Sequence, residues 1–413
     1  MLEEEKKEEL LALLTGKKYR ELKSQLVEMN EVDIASFIEE LDSEKTVVVF
    51  RMLPKELASE VFACLEVEQQ QHIITSITDN ELRAIIDDLY VDDAVDMLEE
   101  LPATIVRRVL QNSSPDTRKL INQFLNYPEN SAGSVMTAEY VGLKKNMTVE
   151  QAFAYIRKYG VDKETIYTCY VMDEKRRLEG VVTVKDLLMN DYAALMGDIM
   201  DPHVIKAYTT EDQEKVVETF NEYNLLSLPV VDGEDRLVGI ITVDDVMDVM
   251  EQEATEDFEK MAAMLPSDKP YLKAGIFATW RARLPWLMIL MLSATFTGMI
   301  LNHYESALAA CLVLNSYIPM LSGTGGNSGT QASVAVIRAL SLDEVDFSDI
   351  LKVLWKELRV SLLCGSCLAA ANFVKMQLVD RLLLGNAAVT PVVCLVVCLT
   401  IMFVVVFAKC VGC

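Results

Sequence analysis

Two carboxamides four residues apart, Asn327 and Gln331, interrupt an apolar run that begins at Ala307 and resumes at Ala332. The surrounding stretch reads Tyr317-Ile-Pro-Met-Leu-Ser-Gly-Thr-Gly-Gly-Asn-Ser-Gly-Thr-Gln331. If a helix restarts near Asn327, both amides share one face, where their oxygens could meet a hydrated cation without binding it tightly. Pro319 is expected to break the helical ladder, and Gly323, Gly325, Gly326 and Gly329 free the backbone of side chains. Irregular backbone at membrane depth is tolerated only where it packs in protein or lines water. The pattern implies a permeation path walled by Pro319, Gly325, Gly326, Asn327 and Gln331. A close helix–helix contact built on small residues explains the glycines equally well, but gives the amides no task.

A second chemical pattern lies upstream, in two copies of one α/β unit over 134–197 and 198–250. In each, a β-rich run ends in Thr-x-x-Asp at a helix start: Thr183/Asp186 after Leu178-Glu-Gly-Val-Val, and Thr242/Asp245 after Leu237-Val-Gly-Ile-Ile. These units resemble a tandem pair of CBS domains. The resemblance implies that Thr183, Asp186, Thr242 and Asp245 hold the ribose of ATP or another adenine nucleotide. The same residues also make an ordinary helix N-cap with an N3 acid, which needs no ligand.

The elements that must position these groups divide by charge. Residues 1–267 carry 55 acidic and 27 basic side chains, a balance of -28, whereas 268–413 carry 8 and 11, a balance of +3. Such an acidic body should avoid nucleic acid and anionic lipid and attract cations. Residues 1–130 read as helix, with Leu41, Leu65 and Leu89 opening units 24 residues apart and Leu53-Pro54 and Leu101-Pro102 recurring at twice that spacing. Short helices stacked into a superhelix would give this repeat. Residues 249–270 read as one acidic connecting helix ended by Pro266 and Pro270. Four membrane segments follow within 271–413, at about 284–300, 307–340 (broken), 358–374 and 387–408. Lys273, Arg281 and Arg283 place the start of the first in the cytosol, and Arg338, Lys352, Lys356 and Arg359 return the chain there. Lys375 and Arg381, in an expected external turn, run against this rule without reversing it. The N-terminus has no apolar signal core, so the front of the chain is expected to stay cytosolic. The fold class is therefore multidomain: an all-α superhelical N domain, an α/β CBS pair and an α-helical transmembrane domain.

Other chemistries find little support. His72, His203 and His303 lack clustered partners, which argues against a soft-metal site. Most of the nine cysteines lie in apolar segments, where Cys364-x-x-Cys367 and Cys410-x-x-Cys413 read as small filler. No nucleophile–base pair, phosphate loop or metal-hydrolase spacing points to an enzyme.

Taken together, the order of parts, Pro319…Gly325-Gly-Asn-x-Gly-x-Gln331…Arg338, and Glu253-Ala-Thr-Glu-Asp257 after the second CBS copy resemble the MgtE magnesium channels. The resemblance implies a multi-pass plasma-membrane homodimer in contact with membrane lipid, with a pore at the subunit interface and a cytosolic Mg2+ sensor that closes it. Matching residue by residue, it puts the sensor's acids at Glu60, Asp92 and Asp96 on the superhelix, and at Glu214, Asp245, Asp248, Glu253 and Asp257 facing them. Asn224 stands where the family usually has an acid. Family members carry a fifth spanning helix with an acidic pore residue, whereas this sequence stops at Cys413 after the fourth. A truncated or non-conducting, membrane-anchored Mg2+ sensor is thus the alternative expectation, and no carboxylate is expected inside the spans.

Overall fold

The computed structural model describes residues 4–266, 271, 274–341 and 344–413. Lys269 and Pro270 of the expected connector, and Lys273 of the basic flank, lie outside the described residues. Two compact units divide at Met250/Glu251.

The first unit opens with short helices from Glu4–Thr15 to Pro115–Phe124. Their N-caps follow two interleaved 24-residue series: Asn30, Pro54, Thr78 and Pro102, and Asp42, Glu66, Tyr90 and Ser114. Asn30, Thr78 and Ser114 accept backbone N–H bonds, and Pro54 and Pro102 stand where an N–H would have no helical partner. A helix of 8–10 residues is too short to be stable alone. Each instead packs on its second neighbour along the chain and buries Phe37, Ile38, Val61, Phe62, Ile73, Ile74 and Ile85 in one continuous core.

Two three-stranded sheets follow. Val141–Lys144 pairs parallel with Thr168–Met172, which pairs antiparallel with Leu178–Thr183. The second copy repeats this with Ala207–Tyr208, Ser227–Val231 and Leu237–Thr242. Equivalent hairpins meet across the pair, with Leu178 N donating to Asp235 O at 3.1 Å and Leu237 N to Arg176 O at 2.9 Å. The Tyr170 and Ser227 hydroxyls join the copies at 2.8 Å inside the core.

The connecting helix differs from its expected span of 249–270. It runs Val243–Met261, starting directly at the end of the last strand. It stops at Ala263, whose φ of +52° turns the chain left-handed, while Met264 N closes back on Glu259 O at 2.9 Å. This αL end, rather than the prolines beyond it, terminates the helix.

In the second unit, Ile276–His303, Phe347–Leu383 and Pro391–Gly412 are long and apolar enough to cross a membrane. The expected break within 307–340 is displaced. The helix Glu305–Ala310 and a 3-10 turn at Leu312–Tyr317 precede one uninterrupted helix, Ile318–Ser341. Pro319 falls in its first turn, where a missing N–H costs nothing. The glycines stay helical because backbone groups in hydrocarbon must be satisfied within the segment. The helix Ile350–Lys375 runs on into a wide π-type segment, Met376–Leu383, and both it and Ile318–Ser341 pack on Pro391–Gly412.

Candidate functional site

Asp92 and Asp93 enter the first turn of the helix Val91–Glu100, and Asp244 and Asp245 enter the first turn of Val243–Met261. Acids there favour the positive helix end, a local role that suffices for either pair alone. What goes beyond it is their assembly. Asp92 is 9% exposed, its Oδ1 has no hydrogen-bond partner, and its carboxyl is pushed well above the usual range by burial and then by Asp93, Asp245, Glu164 and Glu139. Burial, with Asp245 and Glu139 next, raises Asp93 to about 6. Burial, with Asp245 and Asp244 next, raises Glu164 to about 7, and its Oε2 is likewise orphaned. Asp96 is pushed to about 7 by desolvation, Glu99 and Asp93, but it keeps an exposed edge where water moderates the effect. Burial raises Asp245 too, against the pull of its bond from Thr242. Among the described residues no lysine or arginine forms an ion pair with any of these acids.

Of the eight acids expected from the sequence, the structure thus brings Asp92, Asp96 and Asp245 together, with exposed Asp248 raising Asp245 from one side. Glu60 is exposed among Glu31, Asp88 and Glu56, whose charges add to burial in raising it. Tyr90 lies between the two groups and is pushed up to about 12 by burial, then by Glu164, Glu139 and Glu60. Glu214 is exposed in the first turn of Gln213–Tyr223. Glu253 and Asp257 belong to the second unit, on the same helix as Lys260, whose ammonium both raise after Glu256 does. Asn224 serves a local purpose, ending Gln213–Tyr223 at φ +51°, a conformation asparagine tolerates. Sequence reasoning missed Asp93, Glu139, Glu164 and Asp244. Only the adjacency of Asp93 to Asp92 and of Asp244 to Asp245 could have flagged two of them.

Among the described residues no three His, Cys, Asp or Glu converge closely enough to ligate one metal ion directly. A cluster of carboxylates around buried Asp92, with orphaned oxygens on Asp92 and Glu164, nonetheless fits a hard cation that keeps much of its water shell. The donor set therefore suits Mg2+.

Both Thr-x-x-Asp pairs are closed locally. Thr183 Oγ1 donates to Asp186 Oδ2 at 2.6 Å, and the Thr183 amide donates to the same oxygen at 2.9 Å. Thr242 Oγ1 donates to Asp245 Oδ2 at 2.7 Å. Asp245 therefore serves both a helix cap and the acid cluster.

On the helix Ile318–Ser341 the two faces differ. A Cβ at Gly325 would lie 2.8 Å from Val404 Cγ1, and Gly329 lies against Ala408 O. This face is the small-residue contact. Gly323, Gly326, Asn327 and Gln331 lie exposed on another part of the helix, and neither carboxamide has a hydrogen-bond partner among the described residues. Carboxylates stand where the long helices extend beyond the expected apolar spans 358–374 and 387–408. Glu357 pairs with Lys409 at 3.5 Å. Asp380 accepts from the Tyr317 hydroxyl at 2.7 Å and pairs with Lys375 at 3.0 Å.

An acidic helical array, a CBS pair and a bundle with long apolar helices define a membrane transport protein with a regulatory soluble body. The chain matches family models described as the MgtE intracellular N domain over 29–130, the CBS domain over 132–191 and 196–252, and a divalent cation transporter over 318–413. It is 40% identical over 354 residues to the magnesium transporter MgtE of Thermus thermophilus, covering 85% of this chain and 78% of that one. To the magnesium transporter MgtE of Bacillus subtilis it is 31% identical over 378 residues, covering 92% and 82%. The chain belongs to the MgtE family of magnesium transporters. It is thus a membrane transporter rather than an enzyme, with an intracellular N-terminal domain. A crystal structure of the soluble part of a magnesium transporter superposes with a TM-score of 0.58 at 30% identity, covering 61% of this chain and 99% of that one. The cytosolic domain of the Mg2+ channel MgtE in complex with ATP superposes with a TM-score of 0.55 at 39% identity, covering 58% and 98%.

Proposed function

We propose that this transporter is a Mg2+-gated Mg2+ channel, closed when cytosolic Mg2+ occupies the acidic soluble domains. The observation that carries this reading is Asp92, buried with an unpartnered Oδ1 beside Asp93, Glu164 and Asp245 and no described cation. Like charges about 6 Å apart repel by about 3 kcal/mol at an effective dielectric near 20, before screening by salt. Bound Mg2+ would supply two positive charges and a water shell that bridges oxygens too far apart for direct ligation. Asp92 and Asp96 on the superhelix and Asp245 and Asp248 on the CBS side then hold their elements together instead of forcing them apart. Glu60, Glu214, Glu253 and Asp257 are proposed as further acids of the Mg2+ sensor, and the helix Val243–Met261 carries the change toward the membrane domain. Limited proteolysis of the full chain tests this. Millimolar Mg2+ should protect the wild type and protect Asp92→Asn far less; identical cleavage with and without Mg2+ would count against gating.

The conducting path in this proposal is the face of Ile318–Ser341 that presents Asn327 and Gln331, beside Gly326 and the helix start at Pro319; Gly325 backs it against the last helix. Lipid offers carboxamides no hydrogen bonds, so this face requires water or protein against it. A second copy placed against it makes a homodimer with the ion path between subunits. ATP or another adenine nucleotide is proposed to bind the CBS pair at Thr183, Asp186, Thr242 and Asp245, in keeping with the ATP complex of the similar cytosolic domain.

A further inference from the structure

The fold gathers sulfur at a place that the magnesium reading leaves unused. Cys394 and Cys398 are four apart on the helix Pro391–Gly412, hence on one face, and are 0% and 8% exposed. Opposite them, Met376 is 0% exposed at the start of the wide segment that continues Ile350–Lys375. Two carboxamides serve these sulfurs. Asn372 Nδ2 donates to Met376 Sδ at 3.2 Å and to Cys398 Sγ at 3.9 Å, Gln377 Nε2 donates to Cys394 Sγ at 3.6 Å, and the Cys398 thiol donates its own proton to Ala369 O at 3.2 Å.

Cysteine as small apolar filler explains the burial of the thiols. It does not explain two carboxamides in a membrane segment aimed at sulfur, a weak acceptor when it is a neutral thiol. The same N–H donors are well matched to thiolates, whose charge they stabilise, and outer donors of this kind support metal-bound ligands. We propose that Cys394, Cys398 and Met376 form a site for one soft divalent d10 cation, with Cd2+ as the working probe. Thiolate and thioether ligands select soft ions and offer nothing to hard, oxygen-seeking Mg2+. Each thiol gives up its proton, so binding forms two metal–thiolate bonds and releases two protons. The two thiolates cancel the charge of the ion, leaving a neutral centre suited to a low-dielectric surrounding. Cys394 is one turn from the helix start at Thr390.

The test is titration of the purified full-length protein in detergent with Cd2+ under excess Mg2+. It reads thiolate-to-metal ultraviolet absorption and proton release to an indicator dye. The wild type should show one more tight equivalent, and two more released protons, than Cys394→Ala/Cys398→Ala. Cys364→Ala/Cys367→Ala should match the wild type. Gln377→Leu, which keeps every sulfur, should weaken binding about tenfold with an unchanged melting temperature. The site is overturned if the Cys394/Cys398 double variant keeps wild-type stoichiometry and proton release. If that variant fails to fold, undiminished affinity in Gln377→Leu overturns it equally.

Discussion

Glu357 Oε2 and Lys409 Nζ lie 3.5 Å apart, their side chains 13% and 8% exposed, and together join the helix Ile350–Lys375 to the end of Pro391–Gly412. No hydrogen bond supports the Glu357 oxygen. Removing one partner of such a pair strands a buried charge, at about 3–5 kcal/mol, whereas replacing both with apolar groups is close to neutral. Glu357→Gln and Lys409→Met should each lower the melting temperature of the detergent-solubilised protein markedly, and Glu357→Leu/Lys409→Met should restore most of it. Additive losses in the double variant would mean that the two charges act independently.

The acid cluster sets a pH dependence. The carboxyls of Asp93, Asp96 and Glu164 rise from ordinary values of 3.8, 3.8 and 4.5 to about 6, 7 and 7. A raised carboxyl favours the protonated native state, so its contribution is intact below about pH 4 and is lost as pH climbs to about 7. Without Mg2+, the soluble body should therefore resist proteolysis better at pH 5.5 than at pH 8. Asp92→Asn should flatten that difference, and saturating Mg2+ at pH 8 should replace the protection of low pH. Equal protection at both pH values without Mg2+ would sink the argument.

Glycines at the packed contact between Pro391–Gly412 and Ile318–Ser341 should respond differently from those on the other face of Ile318–Ser341. At Gly412 an added Cβ would come 2.6 Å from Gly329 O, so Gly412→Ala must shift backbone and should cost about 1–3 kcal/mol. Gly323 and Gly326 have nothing within 4 Å of an added Cβ, so alanine there should leave thermal stability unchanged or raise it by about 0.5–1 kcal/mol. Thermal unfolding of the three variants checks the contrast.

Transport separates the amide face from the packed one. Asn327→Leu/Gln331→Leu should abolish Mg2+ uptake by a magnesium-auxotrophic cell while the protein stays folded in the membrane. Normal growth on low Mg2+ would remove this face from the ion path.

Capping and nucleotide binding can be told apart at Thr183. Thr183→Ala removes a helix cap and should cost about 1 kcal/mol in the absence of nucleotide. Thr183→Ser keeps the cap. If the pair also holds a ribose, ATP should raise the melting temperature of the wild type and of Thr183→Ser, and raise that of Thr183→Ala less.

The sequence by itself determined what depends on near neighbours. The 24-residue rhythm of the N domain is written in its caps, from Asn30 and Asp42 to Pro102 and Ser114. The Thr-x-x-Asp starts mark both CBS helices, and unbroken apolar runs mark the long membrane helices. Capping, periodicity and hydropathy act over a few residues and so can be read locally. Glu139 and Glu164, by contrast, belong with Asp92 and Asp245 only because chain segments far apart in sequence fold onto one another. The same holds for Glu357 with Lys409 and for Met376 with Cys394. Tertiary structure also decided the state of Ile318–Ser341. Read locally, its proline and glycines predict a break; placed against the last helix, with every backbone group needing a partner, the same residues make a continuous helix with one packed face and one polar face.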